Sequence, residues 1–357
     1  MFRVPYKHSD TPAPNAKGRL CVSNQRWFPS LLMIGALLAV SPAFAQTKPG
    51  AADAANAPSG PVESSLTIGA LQIASVPNLE IVGFDIHVEV KSVAYSYFLK
   101  NAGAADISVT ATIALPELQA SGDGSETWTL ASRDPENFVG LTVTSAGAPV
   151  ATTAQLHAFA LSLDRLAEIK AEHLPLIPFG ADLDKALAAL SPEAAGRLAA
   201  LGLISPPDTA QKTPPIPDWS LSVVRTWRQT LPAGKTTPVV VKFTPVPAQY
   251  KIAKGGEQDL EDMKDEVCLK GPTLGNLQAR LKSNGAWKVI DISLAGDPPA
   301  RWVDSPKRTL SVQKPAGEAI VAFCGIDEKS ASKPTVLGTV PDDSGEIRIV
   351  IFEPAAN

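Results

Sequence analysis

"EIVGFDIHVEV" at residues 80–90, followed by "SVAYSYFLKN" at 92–101 and "DISVTATIAL" at 106–115, decides the fold class. The first run sets Ile86, Val88 and Val90 against Asp85, His87 and Glu89, the two-residue period of a strand with one wet face. The turn cluster "NAGAAD" at 101–106 separates the second run from the third. "SETWTLA" (125–131), "FVGLTVTS" (138–145) and "APVATT" (148–153) continue the series, and "SAGAP" at 145–149 reads as a tight hairpin. Short strands at this spacing predict a mainly β protein, built as an antiparallel immunoglobulin-like β-sandwich.

Working outward, the period changes near Gln155. Leu156, Phe159, Ala160, Leu163, Leu166 and Ala167 recur at helical spacing. Further helices are expected at "DLDKALAAL" (182–190) and at "SPEAAGRLAALG" (191–202), where Ser191 caps, Pro192 takes the first position and Gly202 closes. The proline-rich "SPPDTAQKTPPIPD" (205–218) excludes a regular element. Strands resume with "WSLSVVRTWRQTL" (219–231), the turn "PAGK" and "TTPVVVKFTP" (236–245), read together as a hairpin. The expected organisation is a sandwich over 67–247 with a helical insertion at about 155–204. A smaller C-terminal α+β region at 248–357 then combines partly helical "KGGEQDLEDMKDEVCLKGPTLGNLQARLK" with the strands "AWKVIDISLAG", "RTLSVQ", "EAIVAFCG" and "EIRIVIFEP".

The chain of 357 residues opens on a targeting pattern. Arg26 precedes an apolar run from Leu31 to Val40, Pro42 breaks it, and Ala43-Phe44-Ala45 is a small-x-small site before Gln46. Residues 1–45 are therefore read as a signal peptide, and 46–66 as a small, polar, proline-rich disordered tether. The apolar run is too short and too broken for a membrane span. Processing removes five Lys/Arg and one Asp/Glu, leaving 27 positive and 35 negative side chains, a net of −8. That balance shows no basic face for a nucleic-acid partner and disfavours anionic membrane surfaces. Cys21 leaves with the signal. Cys268 and Cys324 remain, and in an oxidising compartment the one pairing open to them is a disulfide. Closing that loop stabilises the fold by roughly 3–4 kcal/mol in the chain-entropy model. The rival reading of a reactive or metal-bound thiol lacks a Cys-x-x-Cys and any histidine beyond His173.

"DRLAEIKAEHLPL" (164–176) offers Asp164, Glu168, Glu172 and His173, with His157 upstream. On a helix, His157 and the three carboxylates share a face, but His157 and Asp164 stand about 10 Å apart along the axis, too far to share one metal. His173 falls on another side. The expected reading is a solvated acidic face ended by "HLP". "SGDGSE" (Asp123, Ser125, Glu126) and "PDDSGE" (Asp342, Asp343, Glu346) lack regular calcium-ligand spacing and read as turns. The acidic run Asp259, Glu261, Asp262, Asp265 and Glu266 reads as a wet helix face. His87 sits at an outward strand position. Trp219, Trp227, Trp287 and Trp302 fit a core as well as a groove. No Gly-x-Ser-x-Gly and no phosphate-cradling loop is present, so no catalytic, cofactor or metal residue is assigned.

The order of these segments resembles an uncharacterised family of exported Gram-negative bacterial proteins, a domain of unknown function. The resemblance rests on "VAYSYFLKNAGAADISVTATIALPEL", "HAFALSLDRLAEIKAEHLPL", "AALGLI", "WRQTLPAGKTTPVVVKFTPV", "VCLKGPTLGNLQARL", "AWKVIDISLAG" and "VAFCG". It implies export and a β-sandwich, supports the Cys268–Cys324 pairing, and puts a cap position at His173, where relatives carry glycine. The function expected from all this is a non-catalytic, periplasmic or secreted envelope protein that binds a protein or glycan partner. The alternative is a periplasmic hydrolase of an envelope polymer, with two carboxylates about 5–9 Å apart across a cleft.

Overall fold

The computed structural model describes residues 65–120, 128–206, 215–296, 302–315, 317–340 and 345–355. The expected signal peptide and nearly all of the expected tether lie outside them. In chain order come β1 (Gln72–Ile73), β2 (Leu79–Glu89), β3 (Ser92–Asn101), β4 (Ile107–Ala114) and β5 (Leu118–Gln119). Then follow β6 (Thr142–Ser145), β7 (Ala148–Pro149), β8 (Thr153–Ala160), β9 (Leu163–Asp164) and helices α1 (Leu166–Ala171), α2 (Ala181–Ala188) and α3 (Pro192–Ala200). Next are β10 (Ser220–Leu231), β11 (Thr236–Phe243), β12 (Ala248–Ile252), α4 (Glu257–Met263) and α5 (Gly271–Lys282). The chain ends with β13 (Ala286–Ala295), β14 (Trp302–Gln313), β15 (Ile320–Ala322), β16 (Thr335–Thr339) and β17 (Glu346–Ala355).

The protein is mainly β. One sheet runs β1-β4-β10-β8-β9 with β5 beside β10; a second runs β16-β14-β2-β3-β11-β6-β7. Inward rows from both sheets meet in one core, which alternation along each strand makes possible. On β3 the inward row is Val93, Tyr95, Tyr97, Leu99 and Asn101. Phe84 stacks on Tyr97 at 4.8 Å between centroids, and Tyr95 meets Phe243 edge-on at 5.4 Å. Each such ring contributes about 1.5–3 kcal/mol by leaving water. The Tyr97 hydroxyl is not orphaned there, because it accepts from the Leu71 N–H at 3.2 Å.

The strand order corrects several expectations. β10 and β11 are not a hairpin: β10 pairs with β4 and β8, β11 with β3 and β6, so the "PAGK" turn crosses between sheets. The β3–β4 connection crosses at the same end. The side chain of Asn101, fully buried, stitches the two corners: its Nδ2 donates to Ala105 O and Leu231 O, and its Oδ1 accepts from Gly103 N–H. The sheets are not purely antiparallel, since β14 lies parallel to β2. From the region 248–357, β14 and β16 extend the seven-stranded sheet.

A third sheet, β12-β13-β17-β15, has two apolar faces. Ile290, Ile292, Leu294, Ile347, Ile349 and Ile351 join the main core. Trp287, Val289, Val350 and Phe352 pack instead with Leu260, Met263, Leu277 and Leu281 from α4 and α5. The disulfide Cys268–Cys324, Cα atoms 5.0 Å apart, ties the α4–α5 connection to the end of β15. The last expected tether residues are anchored: Ser65 Oγ accepts from Ser293 N–H, and Leu66 bridges Val246.

The largest local correction lies at 153–164. The stretch read as the start of a helix is the β8–β9 hairpin, and helix begins only at Leu166. Thr153, Gln155, His157 and Phe159 point out, while Ala158 and Ala160 are buried against a helical cluster that includes Ile169, Leu183, Leu187, Leu198 and Trp219. Downstream, Ser191 Oγ accepts from Ala194 N–H at the start of α3, and Gly202 takes a positive φ of 72°. His173, φ 54°, follows the last turn of α1 in the left-handed conformation of a helix C-cap.

Candidate functional site

The β8–β9 hairpin turns through two residues, Leu161 (φ 48°) and Ser162 (φ 64°). Two left-handed residues are the signature of the tight turn that matches strand twist, a place where Asn-Gly is the natural choice. Leucine there carries a steric cost of about 1–2 kcal/mol. Among the described residues the large exposed hydrophobics are Phe159 (37% exposed), Leu161 (74%), Leu163 (53%) and Leu337 (46%). Three of these four lie within five residues of one another at this tip. The tip leans over the C-terminus of α3, where a Cβ on Gly202 would stand 2.6 Å from Leu161 Cδ1.

His157 and Asp164 flank the apolar tip. His157 Nδ1 and Asp164 Oδ2 are 2.7 Å apart, and the His157 ring stacks on Phe159 with an interplanar angle of 17°. Asp164 Oδ1 accepts from the backbone N–H groups of Ala158 and Leu166. The His157 hydrogen bond, with those two N–H donors, holds the Asp164 carboxyl below its ordinary value. Ser222 stands opposite His157 in the β8–β10 register, and among the described residues no hydrogen bond joins them. The other members of the expected acidic face do not converge on this pair. Glu168 binds Arg165, and Glu172 binds Arg197.

A second histidine has partners that only the fold supplies. His87 Nδ1 is 2.9 Å from Ser311 Oγ, 224 residues away, and His87 Nε2 is 3.5 Å from Glu89 Oε1. The order Ser–His–Glu resembles a nucleophile relay, but Ser311 Oγ already donates to Ile86 O at 3.2 Å. The single Ser311 hydroxyl proton is shared between Ile86 O and His87 Nδ1 as acceptors, and the direction of the His87 contact follows the histidine tautomer. The trio sits on an open sheet face and reads as a cross-strand polar contact.

The remaining sequence candidates resolve into structure. Trp219, Trp227 and Trp287 are core residues whose indole N–H groups reach Leu176 O, Gln229 Oε1 and Leu277 O. Trp302 falls in β14, beyond the described side chains. Asp123, Ser125, Glu126, Asp342 and Asp343 lie outside the described residues, and Glu346 opens β17. In the acidic run, Glu261 pairs with Lys264 and accepts from Gln278. Glu266 instead reaches Arg348, which also forks onto Asp291 at 2.5–3.1 Å. Asp291 is only 6% exposed. Burial first, then the Glu346 charge, pushes its carboxyl up to about 6. Arg348, on β17, thus bridges Asp291 on β13 to Glu266 of the disulfide-bearing segment and holds that segment against the sheet. Among the described residues no three His, Cys, Asp or Glu side chains gather as a metal site, and no helix is long and apolar enough to cross a membrane.

One cavity of about 250 Å³ opens at the seam between the main core and the helical cluster. Its apolar wall comes from Leu176, Ile177, Phe179 and Leu183, and its charged residues are Arg133 and Asp182. The Arg133 guanidinium lies 5.7 Å from the Phe179 ring centroid and against Gly180, where a Cβ would stand 2.9 Å from Nη1. The cavity escapes a sequence reading because its two walls are 40 to 50 residues apart and carry no motif.

No curated protein matches the chain. A solved structure to which it is similar comes from Legionella pneumophila and is described as a "putative nutrient binding protein". Identity there is 10% and the TM-score 0.33, over 80% of this chain and 72% of that one. A family model for a domain of unknown function, DUF4424, matches residues 62–343, and the chain belongs to that family.

Proposed function

We propose that this protein is exported to the bacterial envelope and acts there by binding a partner through the β8–β9 hairpin. The observation that carries this reading is the exposed, strained tip: Leu161 holds a left-handed conformation with 74% of its surface in water. Leu161 touches Gly202 on one side but leaves most of its surface in water, and stored strain at an exposed residue is a mark of function. Phe159 and Leu163 enlarge it into an apolar patch, bordered by the His157–Asp164 pair, the composition of an interaction surface with a polar rim. Aliphatic Leu161 and Leu163 suit a protein partner with an apolar recess better than a sugar. A glycan would use the Phe159 and His157 rings instead. Export is supported by the signal-like residues 1–45 and by the Cys268–Cys324 disulfide, which belongs to an oxidising compartment.

The test is cross-linking of the tagged full-length chain in its own envelope, comparing wild type with Leu161→Asp/Leu163→Asp. The expected result is a discrete cross-linked protein partner that the double substitution abolishes, while a variant at the distant exposed Leu337, Leu337→Asp, retains it. A partner captured equally by all three proteins overturns the hairpin as the binding surface. Loss only with Phe159→Ala, accompanied by retention on envelope glycan, assigns a sugar.

A further inference from the structure

The cavity at Arg133 is independent of the hairpin surface, and its chemistry is legible on its own. Its base is aliphatic and aromatic: Leu176, Ile177, Phe179 and Leu183, the last three nearly or fully buried. Its two charged side chains have opposite signs and are not spent on one another. Among the described residues Arg133 has no carboxylate partner; its only polar contact there is a long one, 3.5 Å, to Phe179 O. Asp182 likewise forms no ion pair among the described residues.

The frame is rigid. The loop carrying Arg133 is closed by Ser132 N–H to Phe138 O, by Asn137 to Leu141 in both directions, and by Arg225 Nη1 to Glu136 O. The facing segment is pinned by Trp219 Nε1 to Leu176 O. Such a site pays little ordering cost on binding. Gly180 lets the guanidinium lie directly on the backbone, in a conformation (φ 105°, ψ 162°) that only glycine holds without strain.

We propose that this cavity binds a small zwitterion, an α-amino acid with an aliphatic side chain, its carboxylate on Arg133 and its ammonium on Asp182. The guanidinium fork matches a carboxylate in two hydrogen bonds. The Asp182 charge in the same cavity disfavours a dianion such as phosphate. A space of about 250 Å³ is smaller than a drug-sized pocket and suits a ligand of roughly ten heavy atoms.

Isothermal titration calorimetry of the dialysed, full-length exported protein with L-leucine, 4-methylpentanoate and 3-methylbutylamine separates the contributions. L-leucine is expected to bind, with each one-charge analogue at least tenfold weaker. Arg133→Gln is expected to reduce leucine affinity about tenfold or more. Asp182→Asn is expected to weaken leucine and to strengthen 4-methylpentanoate. Both side chains are exposed, so unchanged circular dichroism and unfolding midpoints confirm that the variants fold. No heat with any of the three probes overturns the proposal, as does leucine binding that Arg133→Gln leaves intact. Equal binding of leucine and 4-methylpentanoate overturns the zwitterion. None of these outcomes bears on cross-linking at the hairpin.

Discussion

The Asp164 carboxylate accepts three times at one hairpin: from His157 Nδ1 at 2.7 Å, and from the backbone N–H groups of Ala158 and Leu166, the last at the entry to α1. One carboxylate thus fixes where the strand stops and the helix starts. Because these donors favour the ionised form, the Asp164 carboxyl sits below its ordinary value. A carboxyl lowered in the folded state contributes stability that is present above the unfolded value, about 3.9, and is lost as pH falls through the folded one. Amide NMR signals of Ala158 and Leu166 should therefore titrate together, with a midpoint below 3.9. A midpoint at or above that value removes the proposed clamp.

The hairpin turn is expected to trade stability for binding. Replacing Leu161-Ser162 with Asn-Gly installs the residues the turn geometry prefers and should raise stability in urea unfolding by about 1 kcal/mol. The same change should weaken partner cross-linking. A stability gain with undiminished capture would show that the strained leucine serves no contact.

Asn101→Ala removes three hydrogen bonds made by a fully buried side chain and strands the buried carbonyl of Leu231. Loss of about 3 kcal/mol is expected, with hydrogen exchange faster in both crossing corners, 101–106 and 231–235. A change confined to one corner would mean that Asn101 does not couple them.

Cys268→Ser should cost about 4 kcal/mol, the chain-entropy value for a loop with a sequence separation of 56. In the denatured but unreduced exported protein, maleimide labelling should find neither Cys268 nor Cys324. Two labelled thiols would remove the crosslink.

Arg348→Met leaves Asp291 nearly buried without its cation and frees Glu266. A loss of about 2–3 kcal/mol at pH 7 is expected. Asp291 is raised to about 6 in the folded state, so the native form holds that proton more tightly than the unfolded chain. Its effect on stability is unfavourable above pH 6 and disappears as pH falls towards 4. Removing the cation raises Asp291 further still, so the variant gains more than the wild type as the carboxyl protonates, and the Arg348→Met defect should shrink between pH 7 and pH 5. A defect that grows over that range contradicts the role given to Asp291.

The sequence by itself determined which faces are wet and which are dry. The alternation at 85–90 placed Ile86 and Val88 inward and His87 outward, Ser191 and Pro192 marked the start of α3, and the cysteine count left a single pairing. These are local matters, settled by the period of a strand, the geometry of a cap and arithmetic. The 155–164 stretch misled because Leu156, Phe159, Ala160 and Leu163 fit a helical period and break an alternating one, Phe159 and Leu163 being apolar residues on the outward face, and because its turn carries leucine and serine where glycine or asparagine would have signalled it. Only the tertiary structure decided which strands are neighbours. Period states which face a residue occupies and nothing about the strand beside it, so the parallel seam of β2 with β14, the crossing corners at Asn101 and the meeting of His87 with Ser311 could not be read beforehand. The same holds for the cavity. Arg133 and Asp182 line one space because two cores meet there, and that meeting is a property of the packed chain rather than of any segment in it.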